Sequence, residues 1–142
     1  MLLLMQINYL AIILATVVQF IIGAIWYSVF FGKLWGKIHG FDKLPKETQE
    51  KLMKSMGPFY GLQALVTLVT SVVLYLFIAY LPLWNAYAMA GFFWIGFVVP
   101  AQVSAVIFSN TQRHWMLTKV AVQSGASLLC LEAATAVIQF LK

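Results

Sequence analysis

Residues 59–108 read FYGLQALVTLVTSVVLYLFIAYLPLWNAYAMAGFFWIGFVVPAQVSAVIF, and not one of them is charged. A helix needs roughly 20 apolar residues to cross the hydrocarbon of a bilayer. This stretch holds two such runs, divided at Leu81-Pro82-Leu83. Pro82 cannot continue the helix before it, so the tripeptide predicts a tight turn. An unclosed strand in lipid would leave its amides unsatisfied, and the alternating pattern of a membrane barrel is missing, so helices are the reading. Outward from the quoted stretch, one more apolar run lies before it and one after. The expected spans are 7–31, 59–81, 84–108 and 120–141. The predicted fold is therefore an all-α membrane protein, four transmembrane helices in an up-down-up-down bundle forming a single domain over 1–142. Composition agrees, with 63% hydrophobic and 9% charged residues and a mean hydropathy of +0.91. A soluble domain carries about a quarter charged residues. Met1 to Gln6 has no basic segment and no small-residue cleavage site follows, so the first span is read as retained.

The connections set the orientation. Lys33, Lys37, Lys43, Lys46, Lys51 and Lys54 lie between spans one and two, and Arg113 and Lys119 flank the link between spans three and four. The other side has only Lys142. Basic residues concentrate on the cytoplasmic side, so both termini are expected to face away from it. The formal charge of +5 then reflects topology, and the basic residues are too few and too localised for nucleic acid. The connector, about 33–57, is expected to hold a short amphipathic helix from Pro45 to Ser55. Proline suits a first turn, and Lys46–Glu50, Glu47–Lys51 and Glu50–Lys54 are i,i+4 pairs. With Leu44, Leu52, Met53 and Met56 on its apolar side, such a helix would lie along anionic headgroups through Lys46, Lys51 and Lys54. Gly57-Pro58 would then turn the chain into span two. Tyr9, Tyr80, Trp84 and Tyr87 fall at the outer interface and Tyr27, Trp35, Tyr60 and Trp115 at the inner one, as belt anchors do. Trp26 and Trp94 fall deeper and are expected to pack between helices.

Reaction chemistry is hard to find. There is no glycine-rich phosphate loop, HExxH, nucleophile elbow or pair of acids placed for general acid/base work. Cys130 is the single cysteine, and no Cys/His spacing suggests a metal. No cofactor is expected. His39 and His114 fall in separate cytoplasmic connections, where solvated histidines are ordinary. Glu132 is different. It lies 13 residues after Lys119 and 10 before Lys142, near mid-membrane at a rise of ~1.5 Å per residue. A carboxylate there costs at least ~2.5 kcal/mol unless protonated, paired or hydrated. Gly125, Leu128, Glu132, Thr135 and Gln139 share one helical face, while Ala126, Cys130 and Ala134 form a small-residue stripe roughly opposite. Gln19, Thr70 and Ser71 fall at similar depth. Pro100 cannot donate to the Gly96 carbonyl, which adds a free acceptor. A polar layer of Gln19, Thr70, Ser71, Gly96, Glu132 and Thr135 is the candidate intramembrane site.

Span one carries a recognisable pattern: Asn8-Tyr9-x-Ala11, Gly23-x-x-Trp26-Tyr27-Ser28 and Phe31-Gly32-Lys33-x-Trp35. With Met56-Gly57 and Tyr60, and with Trp94-x-Gly96-Phe97, it resembles the bacterial membrane family called domain of unknown function 1761. The resemblance covers spans one to three better than span four. It implies a four-helix integral membrane protein of a prokaryotic cell membrane and brings no established activity. In that family a proline commonly follows the Trp-Tyr-Ser triplet; here Val29 stands there. Read physically, Gly23, Trp26, Tyr27 and Ser28 form a helix-packing motif. Gly23 allows a close contact, Trp26 fills the space beside it, and Ser28 bonds back to the Ala24 carbonyl. Spans one and three also echo each other, since each runs inward to a phenylalanine-rich stretch, basic residues and a tryptophan, Trp35 or Trp115.

The expected function is that of a non-catalytic small integral membrane protein, structural or accessory, self-associating or part of a larger membrane complex. The alternative is a small channel or proton-coupled carrier that uses Glu132. The lipid bilayer is the partner common to both.

Overall fold

The computed structural model describes residues 7–81 and 85–142. The turn expected at Leu81-Pro82-Leu83, the interfacial position of Trp84 and residues 1–6 lie wholly or partly outside the described residues. Helix α1 spans Tyr9–Ile25 and is capped by Asn8, whose side chain accepts from the Ala11 amide at 3.1 Å. It passes unbroken into a π turn at Trp26–Phe30, where the Phe31 N–H reaches the Trp26 carbonyl at 2.9 Å. Helix α2 (Gly32–Ile38) stops at Gly40, whose φ of 68° is the left-handed conformation that only glycine adopts without a Cβ penalty. Helix α3 spans Lys46–Ser55, directly after Pro45, and α4 spans Gly57–Tyr80 with Pro58 in its first turn.

The third apolar run is also interrupted. Helix α5 (Ala86–Phe93) begins at the Asn85 cap, a π turn follows at Trp94–Val98, and α6 runs Val99–Ile107. Helix α7 spans Arg113–Leu141 and so starts well before Val120. Hydropathy marks where a helix becomes apolar, and nothing between Arg113 and Lys119 breaks one. Among the described residues, four helical stretches are long and apolar enough to cross a membrane: Tyr9–Phe30, Gly57–Tyr80, Ala86–Ile107 and Arg113–Leu141. Among the described residues there is no strand.

Helix α7 packs against α1, α4, α5 and α6, and α1 packs on α4. The core joins Ala11, Ile12 and Ala15 of α1, Leu74 and Ile78 of α4, Ala86 and Ala90 of α5, and Leu131, Ala134 and Ile138 of α7. Alanines at these contacts bring the backbones close, so dispersion acts over a large area. Outward faces are apolar as well: Ile21, Leu65, Val69, Phe97, Leu129 and Phe140 are all exposed. That distribution is the reverse of a water-facing surface.

The two ends differ. Asn8 Nδ2 donates to the Leu141 carbonyl at 2.8 Å, and the Asn8 amide donates to the Tyr75 hydroxyl at 2.9 Å. The start of α1 therefore meets the ends of α4 and α7. At the opposite end, segments within residues 37–43 and 110–115 line one cleft, which puts the two basic connections side by side.

Candidate functional site: polar side chains inside the bundle

Gln19 and Ser71 meet across α1 and α4. Gln19 is 6% exposed and Ser71 is 0% exposed. Gln19 Nε2 donates to Ser71 Oγ at 2.8 Å, Thr16 Oγ1 approaches the same oxygen at 2.9 Å, and Ser71 Oγ donates to the Thr67 carbonyl at 3.1 Å. Thr16 also lies 2.8 Å from the Ile12 carbonyl, its local alternative. Cys130 Sγ reaches the Gln19 carbonyl at 3.4 Å, which attaches α7 to the same level of α1.

A second cluster lies toward the basic end. Trp26 Nε1 donates to the Val122 carbonyl at 3.0 Å, and Trp94 Nε1 donates to the Ser124 carbonyl at 2.8 Å. Ser124 Oγ donates to Gln102 Oε1 at 2.9 Å, and Gln102 Nε2 reaches Ser127 Oγ at 3.3 Å. Both tryptophans open a π turn, and both turns have a local cause. Pro100 offers no hydrogen to the Gly96 carbonyl, so the ladder widens and the Val99 N–H bonds Trp94 instead. In span one Ser28 Oγ donates to the Ala24 carbonyl at 2.5 Å, competing with the backbone ladder at that turn, and the π turn forms with Val29 in place of proline. The echo between spans one and three is thus centred on Trp26 and Trp94 rather than on Trp35 and Trp115.

The packing motif is arranged differently from the expectation. A Cβ on Gly23 would meet nothing within 4 Å, so Trp26 does not fill the space beside it. The close glycine is Gly125 of α7, where a Cβ would lie 3.0 Å from the Trp26 ring. Tyr27 packs tilted against Trp35, with ring centroids 4.8 Å apart.

Glu132 does not join Gln19 and Ser71. Its carboxylate lies over α5, with Oε1 3.7 Å from where a Cβ of Gly91 would be. It is half-buried, and among the described residues no hydrogen bond or salt bridge engages it. Thr70 bonds the Val66 carbonyl of its own helix at 3.2 Å. Thr135 is fully buried and bonds the Leu131 carbonyl at 2.8 Å. Gly96 is exposed, and a Cβ placed on it would meet nothing within 4 Å, so it faces away from the bundle. The expected layer therefore divides. Gln19 and Ser71 meet, but the helix rotations send Glu132 to α5 and leave Thr70 and Gly96 apart. Thr16, Gln102, Ser124 and Ser127 were missed, although an amide such as Gln102 in an uncharged span needs a partner for the same reason as Gln19.

Of the connector pairs, Glu47–Lys51 forms at 2.8 Å with both side chains exposed, 80% and 74%. Such a pair is worth about 0.5 kcal/mol or less. Lys46, Lys51 and Lys54 are all exposed. His39 and His114, separate in sequence, line the same cleft of about 500 Å³ at the basic end. Among the described residues no group of three His, Cys, Asp or Glu side chains could hold a metal ion. No curated protein and no solved structure was found to match the chain. A family model described as "Protein of unknown function (DUF1761)" matches residues 10–139, most of the chain, which therefore belongs to that family.

Proposed function

We propose that this chain is a small integral membrane protein with a non-catalytic, structural or accessory role, self-associating or docked in a larger membrane complex. In this reading the four spans run up-down-up-down through a prokaryotic cytoplasmic membrane, with residues 8 and 141 on the non-cytoplasmic side. The observation that carries it is where the intramembrane polar groups go. Gln19 bonds Ser71, Gln102 bonds Ser124, and Trp26 and Trp94 bond carbonyls of α7. Bonds of this kind hold helices to one another in lipid, and here they converge on packing. The exposed Leu52, Met53 and Met56 of α3 and its C-terminal end, beside the lysines, suit a connector helix lying on cytoplasmic headgroups.

One observation favours a second reading, a small channel or proton-coupled carrier. Glu132 is half-buried in a span and has no partner among the described residues. The test is paired: thermal stability in detergent, and pH-gradient-driven uptake into reconstituted vesicles, for wild type, Glu132→Gln and Glu132→Leu. The structural role predicts no flux that depends on Glu132, and, because no hydrogen bond engages its carboxyl group among the described residues, little stability loss in either variant. Flux lost in a stable, correctly assembled Gln variant would overturn it. The mass of the purified complex then separates self-association from docking on another protein.

A further inference from the structure

The cleft at the basic end is built from two segments far apart in sequence. Lys37, His39 and Lys43 come from α2 and the turn after it, and His114 and Trp115 from the first turn of α7. Its volume of about 500 Å³ suits a small-molecule site. Lys37 and Lys43 line it and form no salt bridge among the described residues, unlike Lys51 with Glu47. Lys119, close by in sequence, is already held by Thr111 Oγ1 at 3.0 Å. Both lysines are exposed at the cleft, where an anion could accept charge-assisted hydrogen bonds from them.

The remaining lining adds a second chemistry. Asp42 contributes a carboxylate, and Asn110 and Gln112 contribute amides. His39 Nδ1 lies 3.0 Å from the Trp35 carbonyl, and its ring packs tilted against Trp35 with centroids 4.4 Å apart. A carbonyl only accepts, so Nδ1 is the donor in this contact. A bare anion would use the lysines and leave the carboxylate and amide acceptors idle. A ligand with both a phosphate and hydroxyl groups uses both sets.

We propose that this cleft binds a phosphate ester that carries hydroxyl groups, the chemistry shared by a phosphoglycerol lipid headgroup and by free polyol phosphates. Only the lipid source rests on the membrane reading above. The test uses the full-length chain. In neutral-detergent micelles, glycerol 3-phosphate and inorganic phosphate are titrated by calorimetry. In nanodiscs, retention of phosphatidylglycerol over phosphatidylcholine is read by native mass spectrometry. Saturable glycerol 3-phosphate binding identifies a free ester as a ligand, and retained phosphatidylglycerol alone identifies the lipid headgroup. In either case Lys37→Gln with Lys43→Gln should weaken binding about tenfold or more, since each removes a charge-assisted contact. His114→Gln should weaken it less, and Lys33→Gln, exposed and outside the cleft, should leave it unchanged. Helicity and melting temperature should match wild type in every variant, because none of these side chains belongs to the buried core. Failure of both probes to bind saturably would overturn the proposal. So would an equal loss in Lys33→Gln, the mark of diffuse charge attraction, or inorganic phosphate binding as tightly as the ester in micelles.

Discussion

The hydrogen bond between Gln19 and Ser71 should be asymmetric in its energetics, and a double-mutant cycle measures this. Ser71→Ala removes the acceptor that Gln19 Nε2 uses at 2.8 Å. Thr16 still has the Ile12 carbonyl at 2.8 Å, but the Gln19 amide, 6% exposed, loses the hydroxyl it donates to. An unsatisfied buried donor costs about 1–3 kcal/mol in water-soluble proteins, and interhelical bonds in membranes reach at most about 1.7 kcal/mol. A loss of about 1.5 kcal/mol is expected. Gln19→Met keeps the chain length and leaves Ser71 still donating to the Thr67 carbonyl and approached by Thr16. Its cost should be only about 0.5 kcal/mol. With both changes made no donor is orphaned, so the double variant should lose about 1 kcal/mol, half the sum of the singles. The assay is unfolding in mixed micelles by a denaturing detergent, followed by tryptophan fluorescence. A coupling below about 0.3 kcal/mol, or Gln19→Met costing more than Ser71→Ala, would contradict this account.

The two glycines give a contrast: Gly125→Leu should cost ~1–3 kcal/mol by displacing the Trp26 ring, while Gly23→Ala should cost nothing, having open space around its Cβ. The same micelle titration checks both, and equal effects would remove the special place given to Gly125. For topology, Lys142→Cys should react with an impermeant thiol reagent added outside intact cells, and Lys46→Cys should react only after lysis; the reverse pattern would overturn the orientation. For α3, replacing Lys46, Lys51 and Lys54 by glutamine should weaken the preference of the reconstituted protein for anionic lipid by ~1 kcal/mol per lysine. An unchanged lipid preference in a spin-label or native mass measurement would count against headgroup contact.

Much that depended on near neighbours in the chain could be read from the sequence. Apolar transfer free energies add residue by residue, so the four long apolar helices follow from a running sum. The Ser28 bond to the Ala24 carbonyl follows from i,i−4 geometry, and the α3 helix from Pro45 and its charge spacing. Depth was legible too, since each helical residue advances by about 1.5 Å, and it placed Gln19 level with Ser71. Rotation was not legible. Which face of one helix meets which face of another is a property of the pair, set by side-chain shapes across the contact and by every turn that departs from α geometry. The π turns at Trp26 and Trp94 each alter that rotation part-way along a span. For this reason it is the packed bundle, and not the order of residues, that sets Trp26 against Gly125 rather than beside Gly23, lays Glu132 over Gly91 rather than beside Gln19, and brings Lys37 and His114 into one cleft.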